Sequence, residues 1–294
     1  MNGSYFKQVI CTVLGTILIS IGSITWAGPV QADDYYKCFQ PDPKIAGCTE
    51  KVLVNSCFEP PDDKKASCCK GTKEGDKKDY DIDLVDKKSN VTVLAIHGGY
   101  IERYTSEISK HLAGPPREWN LYTFSGHGRE QCLTGLKDSL TKEEKNFKRL
   151  HITSTRFNHQ KALDLVKAHP KSVAIHGYNP KRGYDAGVIC VGGKNKDQVE
   201  VFVSYVKANS STFTDTDLDN YKLQPIDATD KDSVLCDGLE GTKKRNIVNR
   251  NSEGKGLQLE LSYTMRRDLA EGTGQRYDTL RNIIYVAIEK AMGV

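Results

Sequence analysis

Two of the seven histidines in this sequence stand in matched surroundings. His97 and His176 each close an apolar run and are each followed by glycine, in VLAIHGG and SVAIHGY. A carboxylate, Glu102, follows His97 after an interval of four residues. Zinc in a catalytic site takes three protein ligands drawn from histidine and carboxylate and leaves one position for water. His97, Glu102 and His176 would supply that set, the first two close in sequence and the third from a neighbouring strand end. The same residues would also serve as buried, hydrogen-bonded structural histidines, and the pattern alone leaves both readings open. Glu260 interrupts the otherwise apolar LQLELS run, where a carboxylate is either structurally paired or kept for proton transfer. Beside a water activated by zinc it would act as general base and then protonate the leaving amine. Arg156, Arg182, Arg266 and Arg267 could grip substrate carboxylates through bidentate hydrogen bonds, or simply lie at the surface.

The remaining histidines carry weaker signals. His111 and His169 fall at helix ends, where a cation favours the dipole. His127 and His159 follow strands and could line a cleft, while His151 falls within an expected strand and reads as packed. A serine nucleophile is set aside. His-Gly-Gly after a strand suits an esterase oxyanion turn, but that fold also needs G-x-S-x-G. The nearest match, TFSGH at 123–127, lacks both flanking glycines.

These groups need a scaffold that gathers strand ends, and the apolar pattern predicts one. Residues 91–96 form a continuous β-branched and aliphatic run, as in a strand buried on both faces of a parallel sheet. A helical pattern covers 102–112 and stops at Ala113-Gly114-Pro115-Pro116. Strands are expected at 119–124, 150–153, 172–176, 188–191 and 257–262, and helices at 158–168 and 277–291. Val199, Phe202, Val203 and Val206 mark one more helix stripe. Residues 70–88 read as a polar linker and 209–255 as a long excursion of weak periodicity. The alternation predicts an α/β fold with a mixed, mostly parallel sheet flanked by helices, whose ligands gather at the carboxyl ends of the strands.

At +4 over 294 residues, with acidic and basic residues interspersed, the charge does not suggest a nucleic-acid tracking surface. A mildly basic surface fits an acidic substrate and equally a solvated face. Residues 1–32 hold one charge, Lys7, then an apolar run over 9–27 and Val30-Gln31-Ala32, the order of a secretory signal peptide. A membrane anchor is the competing reading of that run. Secretion is the expectation, with no stable membrane partner. It also accounts for the cysteines, since eight remain beyond Cys11, an even number in an oxidising compartment. Five precede residue 70 in a loop-rich segment, 33–75, and Cys132, Cys190 and Cys236 follow in the 76–294 domain. If all pair within the chain, five against three forces an odd number of links between segment and domain. A zinc knuckle is disfavoured by secretion and by the lack of a repeated C-x-x-C. Asn90 and Asn209 head glycosylation sequons, meaningful in a eukaryotic source.

Taken together, AIHGGYIE with TSE after it, YTFSG, LHITSTRFNH, SVAIHGY, the VGG at 191–193 and GLQLELSYTMRRDL resemble the poly-γ-glutamate hydrolase family, including its phage-related replication-protein members. That family is similar in fold to zinc carboxypeptidases, and the resemblance runs over roughly residues 90–292. It implies zinc held by His97, Glu102 and His176, with Glu260 as general base. It also implies a γ-glutamyl or similar acidic amide polymer, or an acidic peptide, as substrate. The His-to-Glu interval matches this family and departs from the H-x-x-E of ordinary carboxypeptidases. The cysteine-rich segment and the 209–255 insertion lie outside the family core. A function of another class is a binding protein on the same fold that holds an anionic polymer with Arg156 and Arg182 and has no need of Glu260.

Overall fold

The computed structural model describes residues 80–127, 139–157, 159–178, 187–212, 222–230 and 232–294. Among them, seven strands form one sheet: β1 (Tyr80–Val85), β2 (Val91–Gly99), β3 (Asn120–Gly126), β4 (Lys171–Gly177), β5 (Val188–Gly193), β6 (Gln224–Asp227) and β7 (Leu257–Leu261). Their order across the sheet is β1-β3-β2-β4-β7-β5-β6. The β3–β2, β2–β4, β4–β7 and β5–β6 pairs are parallel, whereas β1–β3 and β7–β5 are antiparallel. The helices are α1 (Thr105–Ala113), α2 (Lys142–Leu150), α3 (Gln160–Ala168), α4 (Lys196–Asn209), α5 (Tyr263–Glu271) and α6 (Gln275–Met292). This is the mixed, mostly parallel α/β sheet that the alternation predicts.

Two apolar layers explain the unbroken hydrophobic runs. On one face Val91, Val93, Val173, Ile175, Leu257 and Leu259 pack with side chains of α1, α4, α5 and α6. On the other, Leu94, Ile96, Tyr122, Phe124 and Ala174 meet α3, Phe157, Ile247 and Val248. Alternate residues of one strand point to opposite faces, so β2 and β4 must be apolar at both parities. Burying each such side chain contributes about 1.5–3 kcal/mol, which makes the run, rather than strand propensity, the decisive signal.

Four elements depart from the sequence reading. Residues 150–153 are not a strand, because Leu150 ends α2 and residues 151–153 form the loop after it. A capping box starts that helix: the Thr141 hydroxyl accepts from the Glu144 amide, and the Glu144 carboxylate accepts from the Thr141 amide. The end of the supposed linker is β1, an edge strand whose YDIDLV alternation is masked by its acids. The 209–255 excursion contributes β6 and the 3-10 turns Val234–Cys236 and Ile247–Asn249. Beyond β7, Ser262 caps α5 by accepting from the Met265 amide. The expected signal peptide and the 33–75 segment lie outside the described residues, among which no helix is long and apolar enough to cross a membrane.

A disulfide joins Cys190 of β5 to Cys236 across 46 residues. With those two paired, and provided that every cysteine beyond Cys11 pairs within the chain, parity requires Cys132, outside the described residues, to pair with the N-terminal group. Peptide mapping without reduction should recover Cys190–Cys236 together with Cys132 joined to one of Cys38, Cys48, Cys57, Cys68 or Cys69. A loop of this length sets the loss on Cys236→Ser at up to about 4 kcal/mol, measurable by denaturant unfolding.

Candidate metal centre

Three parallel strand ends deliver the groups singled out in the sequence. The β2–β4 ladder ends at Leu94 and Ala174, and the β2–β3 register shifts between Ala95 and Gly98, so β2 bulges at His97 before pairing with β3 again at Gly98 and Gly99. The chain then turns back sharply. Gly99 has φ 63°, and a Cβ there would stand 2.2 Å from the Gly126 carbonyl oxygen. The Glu102 amide donates to the His97 carbonyl at 2.7 Å, which brings the carboxylate beside the imidazole of the same turn. β4 supplies His176, and in the β4–β7 register His176 faces Glu260.

His97, Glu102 and His176 are all buried, and their ligand atoms lie within 4.8 Å of one another. His97 Nδ1 is 2.8 Å from Glu102 Oε1 and 3.1 Å from His176 Nδ1, and His176 Nδ1 is 3.5 Å from Glu102 Oε2. His97 Nε2 lies 2.8 Å from the Ile152 carbonyl oxygen. A carbonyl can only accept, so Nε2 carries the proton, and in a neutral ring Nδ1 turns its lone pair on the carboxylate and on His176. The Gly177 amide, donating to Glu102 Oε2 at 2.8 Å, relieves one oxygen only. The centre therefore requires positive charge, supplied by an added proton or by a metal ion. Ligand atoms at about 2.0–2.1 Å from a tetrahedral zinc stand about 3.3 Å apart, in the range of the distances found here. The Ile152 carbonyl holds His97 as outer groups hold metal-binding imidazoles elsewhere. This donor set fits a metal such as zinc.

The electrostatics separate the two carboxylates. Burial opposes ionisation of Glu102, but His97 and His176 outweigh it and hold the carboxyl well below the usual range. Burial, and then repulsion from Glu102, push Glu260 well above that range. Arg266 is buried between these influences. Burial pulls its guanidinium down while Glu102 and Glu260 favour its charge. Its Nη1 donates to the Arg103 carbonyl at 2.7 Å, and its Nε is buried with no protein partner. The guanidinium packs flat on Gly177, where a Cβ would come within 2.2 Å of Arg266 Cζ.

The remaining candidates are dispersed. Arg156 is half-buried in the turn after Ile152, Arg182 lies outside the described residues, and Arg267 pairs with Asp268 at 3.0 Å. His127 contacts Asp81 at 2.5 Å and His159 the Tyr122 hydroxyl at 2.9 Å. Both line a cavity of about 1080 Å³ along β1 and α1, which none of His97, Glu102 and His176 borders. His151 belongs to the loop after α2 rather than a strand, and its ring lies between His97 (centroids 4.1 Å apart) and Phe147 (4.2 Å). Burial, then the nearby His97, lower its pKa to about 3, so it is neutral. Sequence reasoning missed this placement because it assigned residues 150–153 to a strand, although the Thr141-x-x-Glu144 signature of α2 was legible.

The comparisons with known proteins agree with this fold. Three curated proteins of Bacillus subtilis (strain 168) are similar. The SPbeta prophage-derived UPF0714 protein YoqZ is 31% identical over 190 residues, 65% of this chain. UPF0714 protein YndL is 27% identical over 194 residues and UPF0714 protein YmaC 29% over 189, covering 66% and 64% of this chain. The match spans 55%, 62% and 64% of the lengths of these relatives. Among solved structures, a bacteriophage poly-gamma-glutamate hydrolase shares the fold with TM-score 0.54 and 24% identity, over 73% of this chain and 90% of that one. A zinc-free, apo form of YndL does so with TM-score 0.53 and 24% identity, over 72% and 91%. The family model described as poly-gamma-glutamate hydrolase matches residues 71–284, and the chain belongs to that family.

Proposed function

We propose that this chain is a secreted zinc-dependent hydrolase of γ-glutamyl or similar acidic amide bonds, with His97, Glu102 and His176 holding the metal and Glu260 acting as general base. The observation that carries the reading is the convergence of two imidazole Nδ1 atoms and a carboxylate on one buried point, with Nε2 of His97 fixed outward by the Ile152 carbonyl. The zinc-free form of the relative YndL supports zinc as the metal in question. When bound, zinc polarises a carbonyl and lowers the pKa of water at the site to roughly 7.

The chain's own groups supply the rest. Glu102 stays ionised next to two histidines, as a ligand must, while the raised affinity of Glu260 for a proton suits a base that takes a proton from water and passes it to the leaving amine. Arg266, a fixed cation beside both carboxylates, holds part of its donor capacity unpartnered in the interior, available to an anionic group of the substrate. Arg156 and Arg182 extend the same preference for acidic polymers. The even count of cysteines beyond Cys11 and the Cys190–Cys236 disulfide support an exported chain.

Two substitutions test the assignment on poly-γ-glutamate, with metal content measured alongside. Glu260→Gln should lower kcat roughly 100-fold or more while zinc stays bound, the usual scale of general acid–base catalysis. His176→Ala should lose the metal itself. Full activity in the first, or full zinc occupancy in the second, would show that these residues are structural.

A further inference from the structure

Glu260 has a neighbour that the reaction above leaves without a role. Gln258 lies two residues earlier on β7, on the same face of the strand, and is buried with it. We propose that Gln258 is a positioning residue for Glu260, its side-chain amide fixing the carboxylate through a hydrogen bond whose polarity is dictated by Asn246 and Leu239 of the 209–255 insertion. This rests on the reading of Glu260 as general base.

Backbone groups, which have only one hydrogen-bonding sense, settle the orientation of both amides. The Val248 N–H can only donate, so the Asn246 atom that it meets at 3.2 Å is Oδ1. Asn246 Nδ2 then faces the Gly241 carbonyl and donates to Gln258 Oε1 at 2.7 Å. The Leu239 carbonyl can only accept, and Gln258 Nε2 donates to it at 3.2 Å. The other hydrogen of that NH2 is left pointing at Glu260 Oε1, 3.0 Å away. Turning the Gln258 amide over would set oxygen against the Leu239 carbonyl and against Glu260, and nitrogen against the Asn246 NH2. All three contacts would be lost together, so the chain has one stable sense.

The segment that imposes this sense is itself anchored at several points. The Gly193 amide donates to the Glu240 carbonyl at 2.8 Å, and Asn249 Nδ2 donates to the carbonyls of Gly241 and Lys243 at 2.7 and 3.0 Å. The Cys190–Cys236 disulfide ties its start to β5, where Cys190 stands opposite Glu260 in the antiparallel register. Gln258 thus links the insertion to Glu260.

The test uses the full, zinc-loaded chain on poly-γ-glutamate. Gln258→Met removes the donor at nearly constant size. Asn246→Asp keeps the Val248 cap but replaces the donor facing Gln258 with an acceptor, which favours the overturned amide. Each should lower kcat about 10-fold or more, the scale of a hydrogen bond lost to a charged acceptor, with KM and zinc content within about twofold of the unmutated chain. Asn246→Asp should add little in a Gln258→Met background, because it acts through that amide. Should Gln258→Met fail to fold, Asn246→Asp decides alone. A readout independent of activity is the Gln258 side-chain NH2 in the 1H–15N spectrum of the metal-free chain, assigned by its absence in Gln258→Met. It should shift in Glu260→Ala and in Asn246→Asp, and no shift in either overturns the proposal. Loss of activity in Glu260→Gln with full kcat in Gln258→Met overturns this inference and leaves the general base standing. Full activity in Glu260→Gln removes both.

Discussion

Two hydrogen-bond acceptors that face each other in the interior of a protein repel unless positive charge lies between them, and the site of this chain is built on holding His97 Nδ1 and a Glu102 oxygen in that relation, 2.8 Å apart, with His176 beside them. Each buried acceptor costs free energy when unpaired. The cost is tolerated because the imidazole of His97 is held from behind by the Ile152 carbonyl and Glu102 by the Gly177 amide, so neither can turn away. Histidine and carboxylate fixed in this way are preorganised for a cation, and the binding of one stabilises the folded chain by mass action. The parallel β2–β4–β7 block matters for the same reason. It brings ends of three strands, with their side chains, to one edge of the sheet.

A second constraint is the charge balance around that point. Glu102, Glu260 and Arg266 are all buried, and a buried charge persists only when paired. Arg266 acts on both carboxylates, which is why its guanidinium lies across Gly177, the one residue of β4 beyond His176 that leaves room for it. Arg266 alone against two carboxylates leaves the balance negative unless an imidazole or Glu260 takes a proton or a metal ion enters. The opposite shifts of Glu102 and Glu260 express that competition.

The 209–255 insertion forms one wall of the same arrangement. Through β6, the disulfide and the Asn246–Gln258 contact it braces β5 and β7 from the side away from β2. A segment with little periodic hydrophobicity is held here by hydrogen bonds, a covalent bond and a few scattered apolar anchors, Leu223, Ile247 and Val248 among them. Its weak sequence signal reflects anchors that follow no helix or strand period.

Much of this was legible in the sequence because burial on both faces leaves a strong mark. The runs ending at His97 and His176, the Glu260 in an apolar strand and the α4 stripe all follow from side-chain period and hydrophobicity, and they suffice for the α/β class and for the candidate ligands. Edge and capped elements were not legible by that measure. β1 is acidic on its exposed side, and α2 is polar enough that the Leu150 to Thr153 stretch reads as a strand. Which atoms meet was beyond the pattern altogether. The Ile152 carbonyl behind His97, Arg266 folded onto Gly177 and Asn246 orienting Gln258 join residues 55, 89 and 12 positions apart. No local rule of spacing encodes such contacts, since they arise only when the strand ends and the loops that cover them are packed against one another. The sequence by itself determined the kinds of group available and the strands that carry them. Tertiary structure decided their mutual distances, their ionisation and the direction of each hydrogen bond.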